Sequence, residues 1–262
     1  LFGAVSATLT EFAANPRWLG GIAAFTLVLH TWKQDLARHV HLHALVPGGA
    51  LSPDGDWIAA KRGFLFPIEA LSSVFRGKFV AALKRARQGG KLQQAGITDQ
   101  AWRDSLSAVH RHAWVVYAKH SLGGPAQVLD YLGRYTHRVA ISNERILGMD
   151  ADTVRLRVRD SAHANRRRTL SVPAQTFIER FLLHVLPKGF KRIRHYGLLG
   201  PARKAVKLAQ ARAALSAPVP DPLVVESVEA FMHRIDRLDW MRCTHCGKGQ
   251  FVPTAPIAPA PL

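Results

Sequence analysis

Acidic residues are scarce in this chain: 18 Asp and Glu stand against 36 Lys and Arg in 262 residues, a formal net charge of +18. A surface so unbalanced attracts polyanions, because every phosphate neutralised releases condensed counterions. Nucleic acid is therefore the leading partner class. Long apolar runs are also missing. The longest, such as Gly20 to Leu29, falls far short of the roughly 20 residues that cross a bilayer, which excludes a membrane-spanning helix. Cysteine is nearly absent, with two residues three positions apart. They cannot form a disulfide framework, and no basic start leads into an apolar signal segment, so a reducing, cytoplasmic setting is expected. No repeat of 20 to 50 residues is visible, which sets solenoids and propellers aside. The absence of a Walker-type glycine loop removes any need for ATP, and Ser-His-Asp hydrolysis has no supporting signature. What is present is 48% hydrophobic residues, enough for a proper core.

The chain opens at Leu1 rather than Met, directly in a helix-like run to Ala14, and reads as a piece of a longer protein. Ile22 to Trp32 is rich in β-branched and aromatic residues and His39 to Val46 alternates, so the two read as neighbouring strands. Pro67 introduces a helix whose apolar face carries Ile68, Leu71, Phe75, Phe79 and Leu83. A short helix from Asp99 to Val109, a strand at Trp114 to Lys119 and a helix from Ala126 to about Thr136 follow. Further strands are expected at Val139 to Ser142, Thr153 to Arg159, Arg167 to Val172 and Arg192 to Leu198, with a helix at Pro173 to Leu186. Strands and helices interleave irregularly, which predicts an α+β fold with a central, mainly antiparallel sheet and flanking helices. The catalytic domain is expected over residues 1–200. A basic helical extension with a Pro-rich tail takes up 201–262.

Two constellations carry chemistry. His39, His41 and His43 alternate on a strand, so they share one face, and two neutral imidazoles at i and i+2 can grip one divalent ion. Tyr131 and Tyr135 lie four apart on a helix, one above the other, with Arg134 and Arg138 nearby. A phenol with a pKa of roughly 10 becomes a nucleophile only where a cation or base stabilises the phenolate. Arginines and a metal ion would supply that.

The runs HLHALVPGG, FLFPIEALSSVFRGKF, WVVYAK, GGPAQVLDYLGRYTHRVAISN and LPKGFKRIRHYGLLG, in this order, resemble the rolling-circle insertion-sequence transposases. These form the two-tyrosine branch of the HUH endonuclease superfamily, and the resemblance spans roughly Phe25 to Leu215. It implies a Rep-like fold and assigns the His-hydrophobe-His motif to His41 and His43, which would hold Mg²⁺ or Mn²⁺ with a third polar side chain. Gln34, His39 and His137 are the alternatives for that third ligand, with Gln34 ranked first because it precedes the histidine strand in a polar turn. It assigns the nucleophiles to Tyr131 and Tyr135. Each would attack single-stranded DNA at a transposon end, form a 5′-phosphotyrosine link and free a 3′-hydroxyl. Where related replication initiators often carry a lysine three residues after the second tyrosine, this chain has Arg138, which can steady a phosphate but cannot donate a proton at neutral pH.

Cys243 and Cys246 have the spacing of half a structural zinc site, which is either completed by His233 or His245, or by a missing or partner segment, or is vestigial. The family's own zinc-binding segment, upstream of the catalytic domain, is not among these residues. Arg155, Arg157 and Arg159 alternate on one strand face without acidic partners, and with Arg194 they join Arg134 and Arg138 as expected DNA contacts. Two rival readings stand beside the transposase: a plasmid-type relaxase or replication initiator using the same chemistry, and an inactive DNA-binding remnant of a transposase.

Overall fold

The computed structural model describes residues 1–61, 65–92, 97–112, 114–119, 121–136, 140–160, 166–219, 226–235, 241–243 and 245–251, with the backbone alone for 134–136 and 203. The fold is α+β, and its paired strands are all antiparallel. The first compact unit runs from Leu1 to Ala217 and the second from Pro218 to Leu262. The first therefore extends past residue 200. Its last helix, α6 (Lys204–Ala214), buries Ala211 in a cluster with Ala24, Leu51 and Leu198.

Among the described residues the strands form two sheets where one was expected. In the first, β1 (Ile22–Trp32) pairs with β2 (Arg38–Leu45) and β3 (Gly49–Leu51), and with β8 (Ile193–Gly197); β4 (Trp57–Ala59) extends β3. β1 is buried along nearly its whole length because both faces are used. Phe25, Leu27 and Leu29 point to one side and pack with Phe2, Leu9 and Phe12 of α1 (Phe2–Ala14), with Leu71 and Val74 of α2 (Ile68–Gln88) against them. Thr26, Val28 and His30, by strand alternation, share the other side. The histidine strand β2 pairs only with β1 among the described strands, so it lies at an edge rather than in the centre as expected.

The second sheet is a meander of β5 (Ile146–Met149), β6 (Thr153–Asp160) and β7 (Arg166–Pro173). Val154, Leu156 and Val158 face inward, and Phe177 and Phe181 of α5 (Ala174–Leu182) pack against them. Leu36, from the turn between β1 and β2, is fully buried in this second core. The two sheets are thus joined through the hairpin that bears the histidines.

Other expectations shift. Residues 114–119 form no strand: Val115 is 92% exposed and Tyr117 78%. β-branched and aromatic residues alone make no strand without a sheet edge to pair with. Trp114 is held instead by packing on Phe75 and Phe79, and its carbonyl accepts from the Ser72 hydroxyl at 2.6 Å. Residues 140–142 are not a strand either; a 3₁₀ turn at Asn143–Arg145 intervenes and pairing begins at Ile146, while Val139 lies outside the described residues. α5 stops at Leu182, short of Leu186, and the chain turns to bury His184. The helices expected at 99–109 and 126–136 are α3 (Asp99–Arg111), capped by the Thr98 side chain, and α4 (Pro125–Thr136).

One glycine is dictated by close approach. Gly197 ends β8 with φ +62°, and a Cβ there would lie 1.8 Å from the Ala23 carbonyl oxygen. Gly197→Ala must therefore both enter the left-handed region and push β8 off β1, and we expect a loss of at least about 2 kcal/mol in urea unfolding. A change within about 0.5 kcal/mol would mean that β8 does not approach β1 this closely.

Candidate active site

Antiparallel register builds the site. His30 of β1 is paired directly with His41 of β2, and Val28 with His43, so all three histidines share one sheet face. One ring nitrogen from each of His30, His41 and His43 lies within 4.8 Å of the others, and among the described residues no other group of His, Cys, Asp and Glu side chains converges in this way. His30 is 5% exposed and stacks on Trp32, with ring centroids 4.7 Å apart. It is the residue sequence reasoning missed. The available signal was its place near the end of the first strand, where an antiparallel hairpin carries it back against the second.

Gln34, expected as the third ligand, lies exposed in the turn beyond the end of the ladder, where its carbonyl accepts from Arg145. His30 takes the position beside the pair because a cross-strand partner comes within ring contact, whereas a turn residue past the ladder does not. His39 is exposed, and its carbonyl accepts from His41 Nδ1 at 3.0 Å. His137 lies outside the described residues.

The hydrogen bonds order the protons. His41 Nδ1 donates to the His39 carbonyl, which leaves Nε2 as an acceptor for His43 Nε2–H at 3.1 Å. His43 Nδ1 is then an acceptor, and the Tyr131 hydroxyl donates to it at 2.9 Å. α4 thus delivers one tyrosine of the pair to the histidine face. Burial pushes the His43 pKa down to about 4, helped by the charges of His41 and Lys119. Burial also lowers that of His41, offset in part by its bond to the His39 carbonyl and reinforced by the charge of His39. Both rings are neutral near pH 7, the state that a metal requires of imidazole.

Tyr135 and Arg134 follow on α4, but their side chains, like all of Arg138, lie outside what the structure describes. Arg155, Arg157 and Arg159 line the exposed face of β6, with Ser171, Thr169 and Arg167 opposite them on β7. Arg159 and Arg167 face each other with like charge, a pairing an anionic partner relieves. Arg194 is elsewhere. It pairs with Leu27 on the far face of the sheet, where its guanidinium lies 4.3 Å from the centroid of the Phe2 ring.

In the second unit, Cys243 and Cys246 flank a tight hairpin. Gly247 N–H donates to the Cys243 carbonyl at 2.8 Å, Cys243 N–H to the Gly249 carbonyl at 2.7 Å, and Gly249 N–H to Cys246 Sγ at 3.3 Å. The backbone donors of Gly249 and Lys248, and the Cys243 thiol, lower the Cys246 pKa.

A family model described as "Putative transposase", Y2_Tnp, matches residues 24–206, which include both the histidine strands and α4. The chain belongs to this transposase family. It is 46% identical over 261 residues to "Putative transposase y4qJ" of Sinorhizobium fredii, covering 96% of this chain and 66% of that protein. It is 26% identical over 244 residues to "Transposase for insertion sequence element IS801" of Pseudomonas savastanoi pv. phaseolicola, covering 88% of this chain and 56% of that one. The chain thus spans a little under two thirds of the first relative's length and just over half of the second's. No solved structure matches. The pair of tyrosines on one helix is consistent with the two-tyrosine branch, and no described helix of this transposase chain is long and apolar enough to cross a membrane.

The depressed His43 pKa fixes a sign. Between an unfolded pKa of about 6.5 and the folded value of about 4, the unfolded chain binds more protons, so stability rises with pH across this window and is level above it. We expect the metal-free urea midpoint to fall as pH drops from 6.5 towards 4, and His43→Leu to flatten this slope. An unchanged slope in the variant would assign the pH dependence to other groups.

Proposed function

We propose that this chain carries the catalytic centre of a transposase that cleaves and rejoins single-stranded DNA at the ends of an insertion element, by transesterification through tyrosine. The observation that carries the proposal is the hydrogen bond from Tyr131 to His43, a member of the three-histidine cluster. The family match supports a DNA-processing enzyme in general.

The donor set fits a divalent cation. His30, His41 and His43 would hold it, and between Mg²⁺ and Mn²⁺ three imidazoles suit Mn²⁺ better, since Mg²⁺ takes oxygen ligands and keeps several waters. The bound ion supplies polarisation of the scissile phosphate and offsets charge that develops in the transition state. As a ligand of that ion, His43 would keep Nδ1 beside the Tyr131 oxygen, where an Nδ1–H would donate to it. A donor at that oxygen favours the phenolate. The phenol proton leaves to water, the Tyr131 oxygen attacks phosphorus, the bond to the 3′-oxygen breaks, and that oxygen leaves with a proton from solvent. The phosphotyrosine ester keeps the energy of the broken bond, so rejoining needs no ATP. Tyr135 supplies a second nucleophile for the other end, with Arg134 and Arg138 steadying phosphates. The arginines of β6 track the backbone of the strand as it leaves the site.

Single-stranded oligonucleotides carrying the element's own ends, incubated with Mn²⁺, test this directly. We expect a covalent protein–DNA adduct that Tyr131→Phe reduces at least about 100-fold, Tyr131→Phe with Tyr135→Phe abolishes, and chelation prevents. Binding without any adduct on an authentic substrate would favour the DNA-binding remnant. Adducts confined to replication or transfer origins would favour the relaxase or initiator.

The hairpin of the second unit also carries a proposal: Cys243 and Cys246 are two ligands of a structural zinc ion, its remaining ligands drawn from His233, His245 or a segment elsewhere. The backbone N–H bond to Cys246 Sγ and the lowered thiol pKa support thiolate ligation. Zinc released on denaturation should be lost in Cys243→Ser and Cys246→Ser, and equal zinc in variant and wild type would place the metal elsewhere.

A further inference from the structure

His30 sits at a fault in the ladder. The β1–β2 register shifts between His30 and Trp32, and beyond the shift Trp32, opposite Arg38, is the last pair that holds β1 to β2. Bulges of this kind re-aim side chains beside active sites. The turn that follows satisfies itself locally, with Lys33 N–H donating to the Ala37 carbonyl, Leu36 N–H to the Lys33 carbonyl, and Ala37 N–H to the Asp35 carboxylate. Its local closure needs no outside donor.

Three outside donors are nevertheless aimed at it. The carbonyls of Gln34, Asp35 and Leu36, consecutive in sequence, accept from Arg145, from Arg180 Nη1 at 3.0 Å and from His184 Nε2 at 2.9 Å. All three donors lie outside the first sheet: Arg145 in the 3₁₀ turn before β5, Arg180 on α5, and His184 just beyond it. Leu36 has φ +62°, a conformation leucine rarely adopts and one that persists where surrounding contacts over-determine it. Here those contacts are the Leu36 side chain in the second core and its carbonyl on His184.

His184 does more than cap a carbonyl. It is 2% exposed, and because Nε2 donates to Leu36, its Nδ1 accepts from the Thr31 hydroxyl at 3.0 Å. One ring therefore joins the residue after His30 to the far side of the turn. Arg145 in turn donates from Nε to the carbonyl of Arg157 at 3.0 Å, on the strand whose outer face bears the arginine row.

We infer that Arg145, Arg180 and His184 are positioning residues for the metal centre: they hold the turn against the second sheet and so set where His30 stands relative to His41 and His43. Arg145 ties that position to the arginine-bearing strand. This rests on the reading of the three histidines as a metal site, and the test separates the two. Mn²⁺ affinity of the full chain without DNA, read by electron paramagnetic resonance, is compared for wild type, His184→Ala, His184→Gln, Arg180→Met and Arg145→Met, with circular dichroism and melting on each. We expect affinity to fall about 10-fold or more in His184→Ala and Arg180→Met, and to be largely restored in His184→Gln, which can still donate to Leu36 and accept from Thr31. Should His184→Ala not fold, Arg180→Met and Arg145→Met, whose apolar stems keep the packing, decide the matter. Wild type that binds no Mn²⁺ overturns the metal reading itself. Tight wild-type binding matched by folded Arg180→Met and Arg145→Met overturns the positioning role and leaves the metal site standing.

Discussion

Backbone hydrogen bonds between β1 and β2 hold His30 opposite His41 and Val28 opposite His43. Slipping that pairing by one residue would turn every side chain of one strand to the wrong face. The far side of β1 prevents the slip. Phe25, Leu27 and Leu29 are buried against α1, and a one-residue slip would put Thr26 and His30 into that apolar core in their place. The apolar core and the polar site are thus two faces of one register, and packing on one face positions chemistry on the other.

The same strand pair is anchored at its far end by a different core. Leu36 enters the second sheet's interior, and the turn around it is gripped by donors from that sheet's flanking elements. This arrangement makes the hairpin a bridge. Arg145 contacts both the hairpin turn, at the Gln34 carbonyl, and the arginine-bearing strand β6, at the Arg157 carbonyl. Electrostatic division of labour follows: arginines crowd β6 and β7, while burial keeps His41 and His43 neutral. A permanently charged cluster at the site would repel a divalent ion, whereas a neutral one presents lone pairs.

Legibility from the sequence varied with how local the cause was. The strands of the histidine hairpin and the tyrosine helix are written in local composition and spacing, and β1 and α4 fall within a residue of where β-branched and aromatic richness and helical spacing put them. The face shared by His41 and His43 follows from strand geometry alone. Trp114 to Lys119 shows the limit, since it is rich in β-branched and aromatic residues but has no strand partner among the described residues. Gln34 shows another. Its polarity and position before the histidine strand made it attractive, but the ladder ends before it, and His30 was hidden inside an otherwise apolar run where a histidine reads as core.

From the sequence alone came the polyanion-seeking charge, the antiparallel α+β class, the two histidines of one strand face and the two tyrosines of one helix face. Each rests on composition or on a period within a single element, and such features survive without knowledge of neighbours. Only tertiary structure decided that β2 is an edge strand, that His30 completes the cluster, that Tyr131 reaches His43 and that Arg194 sits away from the site. It also decided that a strained leucine locks the hairpin into a second sheet. These depend on register and on contacts between residues far apart in the chain, such as Leu36 and His184, 148 positions apart. No local pattern encodes such contacts, because their free energy appears only once the chain has closed on itself.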